Sequence, residues 1–550
     1  MSSRPLLKPS SGMAVSPAAT VPSLMAPRQE KPRVLTPLAL TGMAYITVCA
    51  GPFGLEPAVG AAGPLPVLLG ILLLPFLWGL PQSFITAELS TMMPDNGGYV
   101  LWVRRGLGNF AGWMSSYNSV ASNSCDLPLY PVLLSQYTAA FATHVLGVNL
   151  GVAGEWAVKF GVLGIVTLVN VRGSSSVAAL SLLVTLVIMG PILAEPFFPT
   201  VSLHTGDWFA TSGSVDWSVF LSVLLWNYQG WDGLGCVAGE VSNAKRTYPL
   251  AVSAAMVLAT ISYALPIMVG VSMFPDDAAW EAGLFEAIAA DINPVLGALV
   301  VVGAATANLG EACCMLCNSA RAVVAMADRK MVFPWIGVES KVRGSDQPVR
   351  AILLQVAVSA LLMGFPFDVL VVVDTFFKNV ALGLESMAFL ALRHNEPGAE
   401  RPFQVPGGLA GAWAITIPKF AILLFTMATA GTTAWVLCGG ANVAFVVAYL
   451  VRQRVVGPDA TDGMDKAVQA GERHTNNGLR AGSSSFSSQE LLGRHAATTG
   501  SRSAGGATNA VEDASAASSA TCSSPSVLTL SLSPLQVVVQ CDGEAVDGDR

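Results

Sequence analysis

The sequence predicts an all-α membrane protein of about twelve transmembrane helices, and three observations carry that expectation. Only 12% of the 550 residues are Asp, Glu, Lys or Arg, against about 25% in ordinary soluble domains. Apolar residues make up 53% of the chain and the mean hydropathy is +0.57. Uncharged stretches near or above the spanning length of about 18 to 20 residues recur through the first 455 residues. These features imply a single integral domain over residues 36–455, with a disordered N-terminal tail at 1–35 and a disordered Ser/Ala/Gly/Thr/Asp-rich tail at 456–550. Such tails bury too little apolar surface to offset the entropy of ordering.

Apolar runs bounded by polar or Pro/Gly punctuation place spans near 38–59, 65–92, 108–140, 153–171, 176–197, 217–239, 248–273, 294–327, 349–365, 368–392, 410–432 and 434–452. The basic residues test this count, because Lys and Arg collect in loops that stay in the cytoplasm. With the N-terminus inside, the inner loops hold Arg104, Arg105, Arg172, Lys245, Arg246, Arg329, Lys330, Lys341, Arg343, Arg350, Arg393, Arg401, Arg452 and Arg454. The two longer outer loops, 198–216 and 274–293, carry only acids. Twelve spans and two cytoplasmic ends satisfy this alternation.

Several function classes fall away. The net charge of −7 contains no basic block, so nucleic acid is not an expected partner. The nine cysteines lie mostly in apolar segments, unlike a secreted disulfide framework. Cys313, Cys314 and Cys317 lack the second pair a zinc site needs, and no Walker loop is present. Neither metal, cofactor nor enzyme chemistry is expected.

A Gly/Pro cluster inside a span frees backbone groups that only a protein-lined cavity can satisfy. Two such clusters occur: Gly51-Pro52-Phe53-Gly54-Leu55-Glu56-Pro57 in span 1, and Trp226-Asn227-Tyr228-Gln229-Gly230-Trp231-Asp232-Gly233 in span 6. They lie five spans apart, the separation expected of two five-helix repeats of inverted topology whose first helices are both discontinuous.

With GPFGLE in span 1, AELSTMMPDNGGYVLW from Ala87 to Trp102, WNYQGWDGLGCVAGEVSNAKRTYP from Trp226 to Pro249, and LESMAFLALR followed by RPFQVP, the chain resembles the amino acid, polyamine and organocation (APC) permease superfamily. Within it, the chain looks like the polyamine-uptake branch known from plants and protozoan parasites. The resemblance covers about residues 35–455. It implies a 5+5 inverted-repeat, LeuT-like fold with two appended helices, and proton-coupled or potential-driven import of a small organic cation across the plasma membrane by alternating access. Amino acid permeases of this superfamily hold the substrate carboxylate on amides of broken helix 1. Here Pro52 has no N–H to donate and Glu56 adds a negative charge, which suits a substrate without a carboxylate.

The expected substrate-binding residues are Gly51, Gly54, Glu56, Asp126, Asn227, Tyr228, Trp231 and Asp232. Asp232 is placed to pair with an ammonium group, and Tyr228 and Trp231 to stack on an alkylammonium chain. Asp126 reads equally as a site residue or a packing polar group. Trp226 is a gate candidate and Glu311 a proton carrier; Asp374 and Lys378, one turn apart, form either a coupling pair or an intrahelical ion pair. None of the five histidines falls at mid-membrane, so a coupled proton would ride on a carboxylate. Two other readings stay open: a permease for basic or neutral amino acids, and a sensor that keeps the permease fold without net flux.

Overall fold

The computed structural model describes residues 36–49, 51–93, 98–172, 188–232, 244–275, 280–342 and 345–456. Apart from Val456, both predicted tails lie outside the described residues. Pro37–Val48 (α1) runs into the first Gly/Pro cluster and stops there. Pro52 cannot donate the next helical bond, and Gly51 and Gly54 take φ of +113° and +89°, a left-handed backbone that glycine alone adopts without strain. Glu56–Ala62 (α2) resumes the span with Pro57 in its first turn.

The second span is one apolar stretch, Pro64–Met92. It is built as α3 (Pro64–Leu74), a π turn at Pro75–Gly79, and α4 (Leu80–Met92). Pro75 withholds one helical N–H, and the widened turn absorbs the defect. Next comes α5 (Tyr99–Leu107), a short helix in a stretch the sequence left as an inner loop. The predicted span 108–140 is two helices, α6 (Asn109–Asp126) and α7 (Leu129–His144), hinged at Leu127-Pro128.

Gly151–Arg172 (α8) matches the fourth predicted span. Of the fifth, only the C-terminal part, Ile188–Phe197 (α9), lies within the described residues. Trp217–Asn227 (α10) is capped by Asp216, whose carboxylate accepts the Ser218 and Val219 N–H groups at 3.0 and 3.1 Å. It ends at the second Gly/Pro cluster; residues 233–243, and with them the continuation of span 6, lie outside the described residues. The remaining helices are α11 (Ala244–Met273), α12 (Leu284–Ile292), α13 (Pro294–Asp328), α14 (Val349–Leu362), α15 (Phe367–Asn395), α16 (Gly408–Thr429) and α17 (Thr432–Val456).

Six described helices are long and apolar enough to cross a bilayer: Pro64–Met92, Gly151–Arg172, Arg246–Met273, Pro294–Asp328, Gly408–Thr429 and Thr432–Val455. The others are shorter, interrupted or more polar. Among the described residues the all-α expectation has one exception, an antiparallel hairpin of β1 (Ser340–Val342) and β2 (Ser345–Gln347) in the connection between α13 and α14. Helix α12 was likewise read as loop; its nine residues fall short of a spanning length.

The long helix α15 packs along α5 and α6, while α1 lies against α11 and α10 against both α2 and α15. This brings the two interruptions together. Gly230 has φ +88°, and a Cβ there would stand 2.6 Å from the Thr47 carbonyl oxygen of α1. A Cβ on Gly54 would meet Leu133, Phe367 and Trp226 at 3.0 to 3.2 Å. Glycine is therefore required at both breaks for the backbones to approach.

Candidate functional site

The C-terminal turn of α6 carries Asp126 to the side of these interruptions. The Trp226 indole N–H, on the last turn of α10, donates to Asp126 Oδ1 at 2.7 Å. The Tyr130 hydroxyl, in the first turn of α7 just past the Leu127-Pro128 hinge, donates to Oδ2 at 3.2 Å. The Tyr130 and Trp226 rings are tilted at 6.1 Å, and Phe367 meets Trp226 edge-on at 5.5 Å. Asp126 is 5% exposed and has no ion-pair partner among the described residues. Only neutral donors contact this carboxylate; Lys378, bonded to Asp232, acts on it through space without touching it.

Glu311, halfway along α13, stands within electrostatic reach of Asp126, Tyr130 and Tyr45. It is partly exposed and has neither hydrogen bond nor ion pair among the described residues. The structure thus groups Gly54, Asp126, Trp226 and Glu311 from the sequence-derived set, and adds Tyr130. That tyrosine's place one turn after Asp126 was the available signal for it.

Other expected site residues are placed elsewhere. Glu56 is fully buried and saturated: it accepts the Gly54 N–H at 2.9 Å, the Gly283 N–H at 3.1 Å, and the Tyr137 hydroxyl. Its carboxylate holds the helix 1 break to α7 and to the start of α12, and is not presented to a guest. Asn227 bonds the Val223 carbonyl of its own helix at 2.9 Å, and its freed backbone carbonyl accepts the Tyr263 hydroxyl at 2.6 Å. Tyr228 donates to the Ile71 carbonyl at 2.8 Å and packs edge-on against Tyr263 at 5.2 Å. Trp231 is fully buried against the π turn of span 2, where a Cβ on Gly79 would come within 3.2 Å of its indole nitrogen. These three anchor the break; the aromatic faces beside Asp126 belong to Trp226 and Tyr130. Gly51 fits under the Phe53 ring, its missing Cβ leaving room that a side chain would fill at 2.7 Å.

The intrahelical pair between Asp374 and Lys378 is not formed. Lys378 Nζ reaches across to Asp232 Oδ2 at 3.0 Å, and Asp374 Oδ1 accepts the Ser122 hydroxyl at 2.6 Å. Asp232, expected to await an ammonium group, already has one from its own chain. A further buried lysine, Lys419 on α16, lies over the Trp78 ring at 5.4 Å and donates to Gln82 and to Ser386, the latter at 2.9 Å. Gln82 in turn donates to Glu385 at 3.2 Å. A lone Lys after Pro418 in an otherwise apolar span was the overlooked signal.

Near the C-terminal end of span 2, Glu88 is bound by Arg393 at 2.5 Å, Arg401 at 3.1 Å and the Val405 N–H at 2.8 Å. This staple joins α4 to the end of α15 and the loop after it. A cleft of about 550 Å³ between α9 and α13, lined by Gly190, Pro191, Leu296 and Leu299 among others, holds no charged side chain and is separate from the Asp126 cluster.

The amino acid permease family model matches residues 35–451. Polyamine transporter PUT1 of Oryza sativa subsp. japonica is 31% identical over 409 residues, 73% of this chain and 75% of its own. Polyamine transporter RMV1 of Arabidopsis thaliana is 31% identical over 424 residues, 76% and 83% of the two chains. An aspartate-proton symporter of Bacillus subtilis is 24% identical over 404 residues, 69% and 76%. These are transporters and not enzymes, and a multi-pass membrane protein is what the helices describe. The chain belongs to the amino acid permease family of the APC superfamily and shares sequence along most of its membrane domain with plant proteins named polyamine transporters.

Proposed function

We propose that the chain is a secondary active transporter that imports polyamines, organic polycations of the putrescine and spermidine kind, across the plasma membrane. The single observation that carries this reading is the Asp126 carboxylate. It is held between Trp226 and Tyr130 by neutral donors alone and has an unpartnered second carboxylate, Glu311, close by. Two acids that no cation touches among the described residues, with aromatic faces beside Asp126, suit a guest with two ammonium groups, each cation–π contact adding about 0.5 to 2 kcal/mol. The family's 5+5 repeat with twelve spans, both ends in the cytoplasm, and alternating access around broken helices 1 and 6 complete the proposal. The membrane potential supplies about 2.3 kcal/mol per charge per 100 mV, and a proton carried on a carboxylate would add to it.

Names of the relatives support a cationic guest, and so does the helix 1 break. Amino acid transport needs free amides there for a carboxylate. Pro52 has none, the Gly54 N–H is taken by Glu56, and the Leu55 N–H bonds the Pro52 carbonyl at 3.1 Å. Three of the four positions from 52 to 55 therefore cannot donate. The similarity to an aspartate-proton symporter motivates the competing reading of an amino acid permease.

The test is uptake of radiolabelled putrescine, spermidine, arginine and aspartate into proteoliposomes under imposed potentials and pH gradients. Saturable amine uptake driven by a negative interior is expected. Saturable arginine or aspartate uptake without amine uptake would replace this reading with the competing one, and amine binding without flux would make the protein a sensor.

A further inference from the structure

The connection from α13 to α14 carries apolar surface and bases that the Asp126 cluster does not use. Just past the end of α13 the chain turns through Lys330, whose φ of +55° makes it the one non-glycine residue with a left-handed backbone among the described residues. Glycine or asparagine is the usual occupant of that position after a helix, so the lysine is held against its backbone preference. Arg452 of α17 donates to the Lys330 carbonyl at 2.9 Å and to the Arg329 carbonyl at 3.4 Å, which fixes the turn. Beyond it, Ile336 is buried, and a Cβ on Gly337 would stand 2.5 Å from the Ala327 Cβ. The 3-10 turn Pro334–Gly337 is therefore seated on the last turn of α13.

Seated this way, the turn presents its large side chains outward: Phe333 is 71% exposed and Trp335 59%. Arg350, in the first turn of α14, donates to the Trp335 carbonyl at 2.9 Å. It shares one side of that helix with Leu353, Leu354, Ala357 and Leu361, all exposed and spaced as one helical face requires. On a membrane helix such a face meets acyl chains, and Arg350 marks where it leaves them, because charge is costly any deeper. Trp335 is thereby held at headgroup level, where tryptophan collects. Across residues 328–350, Arg329, Lys330, Lys341, Arg343 and Arg350 outnumber Asp328, Glu339 and Asp346. Neither Lys330 nor Arg350 pairs with an acid among the described residues. We propose that this connection binds an anionic lipid of the surrounding leaflet, its charged headgroup between Lys330 and Arg350 and its glycerol region against Phe333 and Trp335. A zwitterionic lipid brings its own ammonium to the same place and gains less from the two bases.

The experiment is native mass spectrometry of the full chain in detergent, with phosphatidylglycerol or phosphatidylcholine of the same acyl chains added. For the first lipid bound, the unaltered protein is expected to prefer phosphatidylglycerol about tenfold, and Lys330→Gln with Arg350→Gln to reduce this to about twofold or less. Lys330→Arg with Arg350→Lys is expected to keep the preference. A second measurement needs no change of charge: in vesicles, bromine-labelled phosphatidylglycerol is expected to quench more of the tryptophan emission of the unaltered chain than of Trp335→Phe. Equal binding of the two lipids by the unaltered protein would overturn the proposal, as would an undiminished preference in the double Gln variant. Equal bromolipid quenching with and without Trp335 would do the same, and so would displacement of the lipid by glycerol phosphate at matching concentration, which would make this a site for a free phosphate. The polyamine reading rests on other residues and stands or falls by the uptake assay alone.

Discussion

The Asp126 cluster and the Glu88 staple use the same residue type to opposite ends. Glu88 meets two guanidinium groups and a backbone N–H, so it is over-compensated and closed. Asp126 meets an indole and a phenol, and its neighbour Glu311 meets nothing described. A buried acid with its counter-charge supplied is scaffold, because removing either partner strands the other. A buried acid whose donors are all neutral is positioned yet still attracts a cation. Counter-charge, more than burial or depth, separates the two regions. Glu56 marks the boundary case: three donors and complete enclosure make a neutral-partnered acid into scaffold as well.

The comparison can be broken most readily at Asp126. Asp126→Asn keeps the shape and removes the charge, and amine uptake is expected to fall about a hundredfold at equal protein levels, the scale of a lost charged contact. Wild-type uptake in that variant would erase the distinction. Disrupting the staple should act on a different observable. Arg393→Ala leaves Glu88 short of its 2.5 Å partner and is expected to cost about 3 to 5 kcal/mol of stability, read as a lower thermal midpoint, while the ratio of putrescine to spermidine transport stays the same.

Glu311→Gln is expected to weaken putrescine about tenfold and a monoamine less than about threefold, since only the second charge loses its partner. Equal losses for both would make Glu311 a general determinant of the cavity. Glu56→Gln is expected to lower the thermal midpoint, at about 1 to 3 kcal/mol for a disturbed buried acceptor, with selectivity retained in the surviving transport.

The smallest effect belongs to the short helix α12. Glu286 is buried there, with His144 Nδ1 at 3.4 Å from one oxygen. Burial pushes its carboxyl above the usual range, and the bond from His144 opposes this. A carboxyl raised in the folded state favours folding while protonated. Its contribution is present below the unfolded value of about 4.3 and is lost as pH rises through the folded one. Glu286→Gln is therefore expected to raise the thermal midpoint at pH 8 by a small margin, about 1 kcal/mol or less, and to leave it unchanged at pH 4. A lowered midpoint at pH 8 would mean that the pair with His144 outweighs the burial cost.

Much of the fold was legible because a bilayer imposes length and apolarity on any span. The break in the cluster from Gly51 to Pro57 was equally plain, since Pro52 lacks a donor and Gly51 and Gly54 need positive φ, properties of the residues themselves. Helices α5 and α12 and the hinge at Leu127-Pro128 were not legible in the same way, being too short or too continuous with their neighbours to stand out. Of the site, the sequence by itself determined which spans carry acids and where two helices must open. It did not determine which acid is spent. Whether Lys378 pairs with Asp374 one turn away or with Asp232 146 positions away, and whether Glu56 faces a guest or Tyr137, depends on which helices lie side by side. The interaction of two charges falls with their distance in space and not along the chain, and that distance exists only once the helices have packed.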